Sequence, residues 1–168
     1  MTFQFLPDPP QDFSAKPILI SGDESASFTG QEFLVVSDHE KEYVFEIRHE
    51  YRCSPFRDVY LAGNILGVGH EEHFYMFDVE KSLNLLTLKV AGYFSGLYFN
   101  NDLFYVASAH GIYCVNNKGG INWTNINLAI DGVIITSFED KFILGEGEWD
   151  PPGGWREFKV DRLTGQLY

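Results

Sequence analysis

From Phe33 onward the chain alternates apolar runs of four to seven residues with short polar or glycine-bearing clusters. No window sustains a period near 3.6, and runs of this length bounded by turn residues are what β-strands produce. The runs recur in a fixed order. One unit opens with a strand near Val59, turns at Gly63-Asn64, continues through 65–69, turns at Glu71-Glu72 and closes with 73–78. The next runs through 97–99, a turn at 100–102, 103–107, a turn at His110-Gly111, and 112–116. The third runs through 133–135, a turn at Glu139-Asp140, 141–145, a longer loop, and 155–161.

The third strand of each unit ends on a residue suited to opening a turn, Asp78, Asn116 and Asp161, 38 and 45 residues apart. The insertion at 148–154 accounts for the longer interval. A half-copy at 33–36 and 43–46 places Glu46 as an earlier counterpart of these three. Before it, Pro7, Pro9, Pro10 and Pro17 and the small polar run at 21–27 predict an irregular lead-in over 1–30, with one short strand at 17–21. The repeat domain is expected over 31–168, within a single domain overall.

A small antiparallel sheet cannot bury both faces alone, so neighbouring units must stack. The expected fold is therefore all-β: an antiparallel propeller-like stack of about four small sheets, either closed into a four-blade ring or left as an open or partial stack. The segment Trp155-Arg156-Glu157-Phe158-Lys159-Val160-Asp161 followed by Thr164-Gly165 resembles the blade repeats of β-propellers of the quinoprotein and WD40-like kind. A weaker echo is Gly111-Ile112-Tyr113-Cys114-Val115-Asn116, with Trp123 downstream. The resemblance spans roughly 33–168 and implies a fold, not an activity.

Composition narrows the function classes. Among 168 residues there are 12 Lys and Arg against 24 Asp and Glu, a formal charge of −12, so a nucleic-acid backbone is repelled and a basic protein attracted. The first ten residues carry neither a basic nor an apolar leader segment, and no run is long enough to span a membrane, so a cytoplasmic protein without a membrane partner is expected. Cys53 and Cys114 fit neither a disulfide framework nor a zinc pattern and are expected as two buried thiols. His70-Glu71-Glu72-His73 lacks the four-residue helical spacing of a metalloprotease and is expected as a solvated hairpin tip. Gly67-Val68-Gly69 and Gly145-Glu146-Gly147 lie at strand ends rather than before a helix, so they are assigned to turns and strand packing. No nucleophile elbow or triad setting occurs.

The most distinctive segment is 145–155, where Glu146, Glu148, Trp149 and Asp150 are the candidate binding residues. Their carboxylates suit Arg or Lys of a partner, and Trp149 suits an aromatic anchor. The expectation is a non-catalytic interaction module without cofactor or metal, a monomer or weak homodimer, binding a basic protein. In its gross properties the chain is similar to acidic toxin-immunity proteins. The alternatives are a small-molecule or carbohydrate-binding domain with Trp149 in its pocket, and a hydrolase using Glu146, Glu148 or Asp150.

Overall fold

The computed structural model describes residues 2–11, 16–21, 28–39 and 41–168. All fifteen elements among the described residues are strands. They form four antiparallel sheets, apart from one short parallel pairing, and divide into two compact units, Met1–Arg52 and Cys53–Tyr168. The strands at 33–36 and 43–46 pair with strands of the lead-in and so belong to the first of these units.

In the first unit, β1 (Thr2–Leu6), β2 (Ile18–Leu19), β3 (Gly30–Asp38) and β4 (Lys41–His49) pair in the order β1-β3-β4-β2. The lead-in thus contributes an unexpected strand: Phe3 and Phe5 belong to β1, in register with Val36 and Leu34. The polar run at 21–27 lies, beyond Ser21, outside the described residues. Glu46 opens no turn. It sits inside β4, where its Oε1 accepts a 2.7 Å hydrogen bond from Arg48 Nε, so it is not a counterpart of Asp78.

The second unit holds three sheets in chain order. The first comprises β5 (Arg57–Ala62), β6 (Ile65–His70), β7 (His73–Asp78) and β8 (Leu83–Lys89). The second comprises β9 (Phe94–Asn100), β10 (Leu103–Ser108), β11 (Ile112–Asn116) and β12 (Ile121–Asn125). The third comprises β13 (Val133–Phe138), β14 (Phe142–Glu148) and β15 (Trp155–Asp161). Each is a plain meander. The nine strands read from the repeats are all present. The two outer strands β8 and β12 were not anticipated, because each carries few buried residues and is bulged against its neighbour.

The Asp78, Asn116 and Asp161 equivalence holds. Asp78 Oδ1 accepts the amides of Glu80 and Lys81 at 3.1 and 3.0 Å, Asn116 Oδ1 those of Lys118 and Gly120 at 3.0 and 3.1 Å, and Asp161 Oδ1 those of Leu163 and Thr164 at 2.9 Å each. Each side chain supplies the acceptor that the turning backbone lacks. The hydrogen bonds and charge of Lys81 hold the Asp78 carboxyl down at about 2, and the Thr164 amide and hydroxyl lower that of Asp161.

The middle sheet is covered on both faces. Phe104, Val106, Tyr113 and Val115 pack with Phe74, Met76 and Phe94 on one side. Tyr105, Ala107, Ile112 and Cys114 pack with Val133, Ile135, Ile143, Phe158 and Val160 on the other. Two-sided burial is why β10 and β11 read as nearly unbroken apolar runs, whereas in the third sheet, covered on one face, β13 and β14 alternate buried with exposed or half-buried positions. Within the second unit the three sheets are separate in their hydrogen bonding and pack face to face, an arrangement compatible with a propeller-like stack.

Strand glycines admit the packing. A Cβ on Gly69 would stand 2.0 Å from the Phe94 ring, and one on Gly145 would meet Phe158 at 2.3 Å and the Ile134 carbonyl at 2.4 Å. The His70–His73 tip is not solvated: His70 and Glu71 are buried, Glu71 at 2% exposure, because Glu71 Oε2 accepts the Cys53 and Ser54 amides at 2.6 and 2.9 Å. Both cysteines are free, with Cys114 buried as expected but Cys53 exposed.

Gly145→Ala should lower stability by about 2 kcal/mol, since a backbone carbonyl and a core ring must both move. A lower urea midpoint at unchanged slope checks this. The depressed Asp78 and Asp161 carboxyls contribute stability that is complete above their unfolded value of about 3.9 and is lost as pH falls towards 2. Asp58, whose carboxyl is raised by burial, acts in the opposite sense. A D78N/D161N variant should therefore show a shallower acid loss of stability than the parent in urea midpoints between pH 5 and 2.5.

Candidate functional site

Each sheet of the second unit begins with its inner strand, and the residue just before that strand is Phe56 in the first repeat, Tyr93 in the second and Gly132 in the third. The starts of these strands are tied together. Ser54 Oγ donates to the Phe94 carbonyl at 2.8 Å, the Phe94 amide to the Glu71 carbonyl at 2.7 Å, and Ser95 Oγ to the Val133 carbonyl at 3.0 Å. The Tyr98 hydroxyl accepts the Ile135 amide at 3.1 Å. Three equivalent points of three repeats therefore converge at one end of the stack.

Phe56 and Tyr93 stack there with ring centroids 6.3 Å apart and planes 20° from parallel. In the third repeat the aromatic is missing, and a cavity of about 240 Å³ takes its place, lined by Phe56, Tyr93, Asp131, Gly132, Glu148 and Trp155 among others. Gly132, at φ +146, is one of its lining residues. A Cβ there would stand 3.4 Å from the Trp155 ring edge and 3.7 Å from the Tyr93 hydroxyl.

Two carboxylates flank the aromatic walls. Asp131 takes the Tyr93 hydroxyl on its backbone carbonyl at 2.6 Å and on Oδ1 at 3.2 Å. Glu148 is set beside it by backbone bonds: the Glu148 amide donates to the Gly132 carbonyl at 2.9 Å, and the Ile130 and Asp131 amides donate to the Glu148 carbonyl at 2.9 and 3.3 Å. Glu148 Oε1 accepts the Gly153 amide at 2.5 Å, which fixes the side chain against its own loop. Burial, then the charge of Asp131 and its hydrogen bond, then the charge of Glu148 push the Tyr93 phenol up to about 12. The site is therefore aromatic in shape and negative in potential, a combination that favours a cation.

The structure separates the four residues read from the sequence. Glu148 lines this cavity. Glu146 lies two residues away on the same face of β14 but opens into a different concavity of about 460 Å³, with Glu157, Lys159, Leu167 and Tyr168, on the open face of the third sheet. Trp149 stands outside the cavity with the Arg156 guanidinium 5.8 Å from its ring centroid. Asp150 accepts the Gly154 amide on its backbone carbonyl at 3.0 Å, helping to close the 149–154 loop. Trp155, the last residue of the 145–155 segment and the first of β15, supplies the tryptophan wall and is exposed.

Phe56, Tyr93 and Asp131 were missed. The signal that would have found them is the position one residue before each repeat's inner strand, occupied by Phe, Tyr and then Gly. Among the described residues there is no group of three or more His, Cys, Asp or Glu able to hold a metal ion, and no helix long and apolar enough to cross a membrane. No protein-family model matches the chain, and no curated protein matches it.

Tyr93→Phe should cost about 1 kcal/mol or less, the worth of a partly exposed hydrogen bond. The raised phenol also contributes stability that is complete below its unfolded value of about 10 and is lost as pH rises towards 12. The variant should therefore lose less stability than the parent over that alkaline range in urea midpoints.

Proposed function

We propose that this protein is a non-catalytic interaction module that binds a basic protein partner through the end of its stacked sheets. The observation that carries this reading is the convergence of Phe56, Tyr93 and Trp155 with the carboxylates of Asp131 and Glu148 around one cavity. A net charge of −12 adds long-range attraction for a basic surface.

The surroundings suit a protein more than a free metabolite. Phe56, Ile130, Ile134, Trp149 and Trp155 are 36 to 48% exposed near this end of the third sheet, a density of apolar and aromatic side chains typical of an interface centre. At about 240 Å³ the cavity falls below the roughly 300–1,000 Å³ of drug-sized ligand sites, and its scale is that of one inserted side chain. The repeat likeness to quinoprotein and WD40-like blades belongs with this reading, since such stacks present loops and strand ends along one edge. So does the gross likeness to toxin-immunity proteins, which implies a basic target held by an acidic surface.

Capture of partners from native lysate at low and high salt tests the reading. A specific basic protein should be retained at low salt, released as salt rises, and retained about tenfold less by a D131N/E148Q variant. Capture that is indifferent both to salt and to the variant would overturn it.

A further inference from the structure

The cavity's chemistry distinguishes among cations. We infer that it is built for a guanidinium, so that the partner is anchored by an arginine side chain inserted between Tyr93, Trp155 and Phe56 and held by Asp131 and Glu148. The inference rests on the proposed reading and deepens it.

Three features favour guanidinium over a primary ammonium. The walls are aromatic faces and edges, and a planar, weakly hydrated guanidinium stacks on such surfaces, whereas an ammonium gives up a tightly held water shell. The carboxylates come from two adjacent segments, 131 and 148, held in register by the Asp131–Glu148 and Glu148–Gly132 backbone bonds. A guanidinium offers five N–H donors in one plane and can address both acids at once, while an ammonium acts as a point charge. Each acid already spends one oxygen within the protein, Asp131 Oδ1 on Tyr93 and Glu148 Oε1 on Gly153, so neither is free to swing and collapse onto a smaller ion.

Gly132 is the one of the three positions before β5, β9 and β13 that is not aromatic, and it lines the cavity with no side chain of its own, the Trp155 ring and the Tyr93 hydroxyl standing 3.4 and 3.7 Å from where a Cβ would be.

The test uses capped peptides of sequence Gly-Arg-Gly, Gly-Lys-Gly and Gly-citrulline-Gly, titrated into the full chain at constant ionic strength. The Trp155 indole N–H is read by two-dimensional NMR and assigned with Trp155→Phe. The arginine peptide should shift this signal saturably and bind about fivefold more tightly than the lysine peptide, with citrulline inert. E148Q and D131N should each weaken it about fivefold while leaving the rest of the spectrum unchanged, which shows that the variants are folded. Equal binding of lysine and arginine peptides would overturn the guanidinium assignment and leave a general cation site. No saturable shift up to about 50 mM arginine peptide would overturn the anchor altogether. If salt-sensitive capture of a basic protein persisted in that case, the interaction reading would stand without it; if capture failed too, both would fall.

Discussion

A meander of three or four strands, each five to seven residues long, cannot bury an apolar face by itself. In residues 53–168 the solution is that each sheet lends a face to the next, with the middle sheet buried between the other two. Tyr105 and Phe104, neighbours on β10, point to opposite sides and enter two different cores. Close approach of the sheets requires glycine where a ring crosses a strand, as Phe94 does over Gly69, so composition, spacing and packing are fixed together.

That packing also builds the site. Because β5, β9 and β13 start at the same end of their sheets and are bonded there through Ser54, Ser95 and Tyr98, the residues just before them must cluster. Two are aromatic and one is glycine. The cavity lies where these three strand starts meet, with aromatic side chains before β5 and β9 and none before β13. The third sheet then supplies the remaining walls from the ends of its other strands, Glu148 leaving β14 and Trp155 opening β15.

Much of the fold was legible because the strands that matter are buried on at least one face, and burial writes itself into the apolar pattern. The nine repeat strands and the Asp78, Asn116 and Asp161 turns follow from that. β8 and β12 escaped because they are outer strands with a mixed surface, and β1 escaped because prolines beside it at 7, 9 and 10 mask a short exposed strand. Half of the site logic was visible in the acidic, tryptophan-bearing loop, which contributes Glu148 and leads to Trp155. The other half was not, because Phe56, Tyr93 and Asp131 stand in different repeats and meet only when the sheets stack. Glu71 shows the same limit: a charged turn reads as solvated until the 53–54 segment is seen to bind it.

The middle sheet is the shared core on which the cavity's geometry rests. Native-state hydrogen exchange across residues 53–168 addresses it most directly. The amides of β10 and β11 should be the slowest to exchange, opening only with global unfolding, while those on the outer edge of β15 exchange by local opening. Exchange of β10 and β11 as fast as that of the β15 edge would contradict the claim, because the sheets would then be stable separately and nothing would hold the starts of β5, β9 and β13 together.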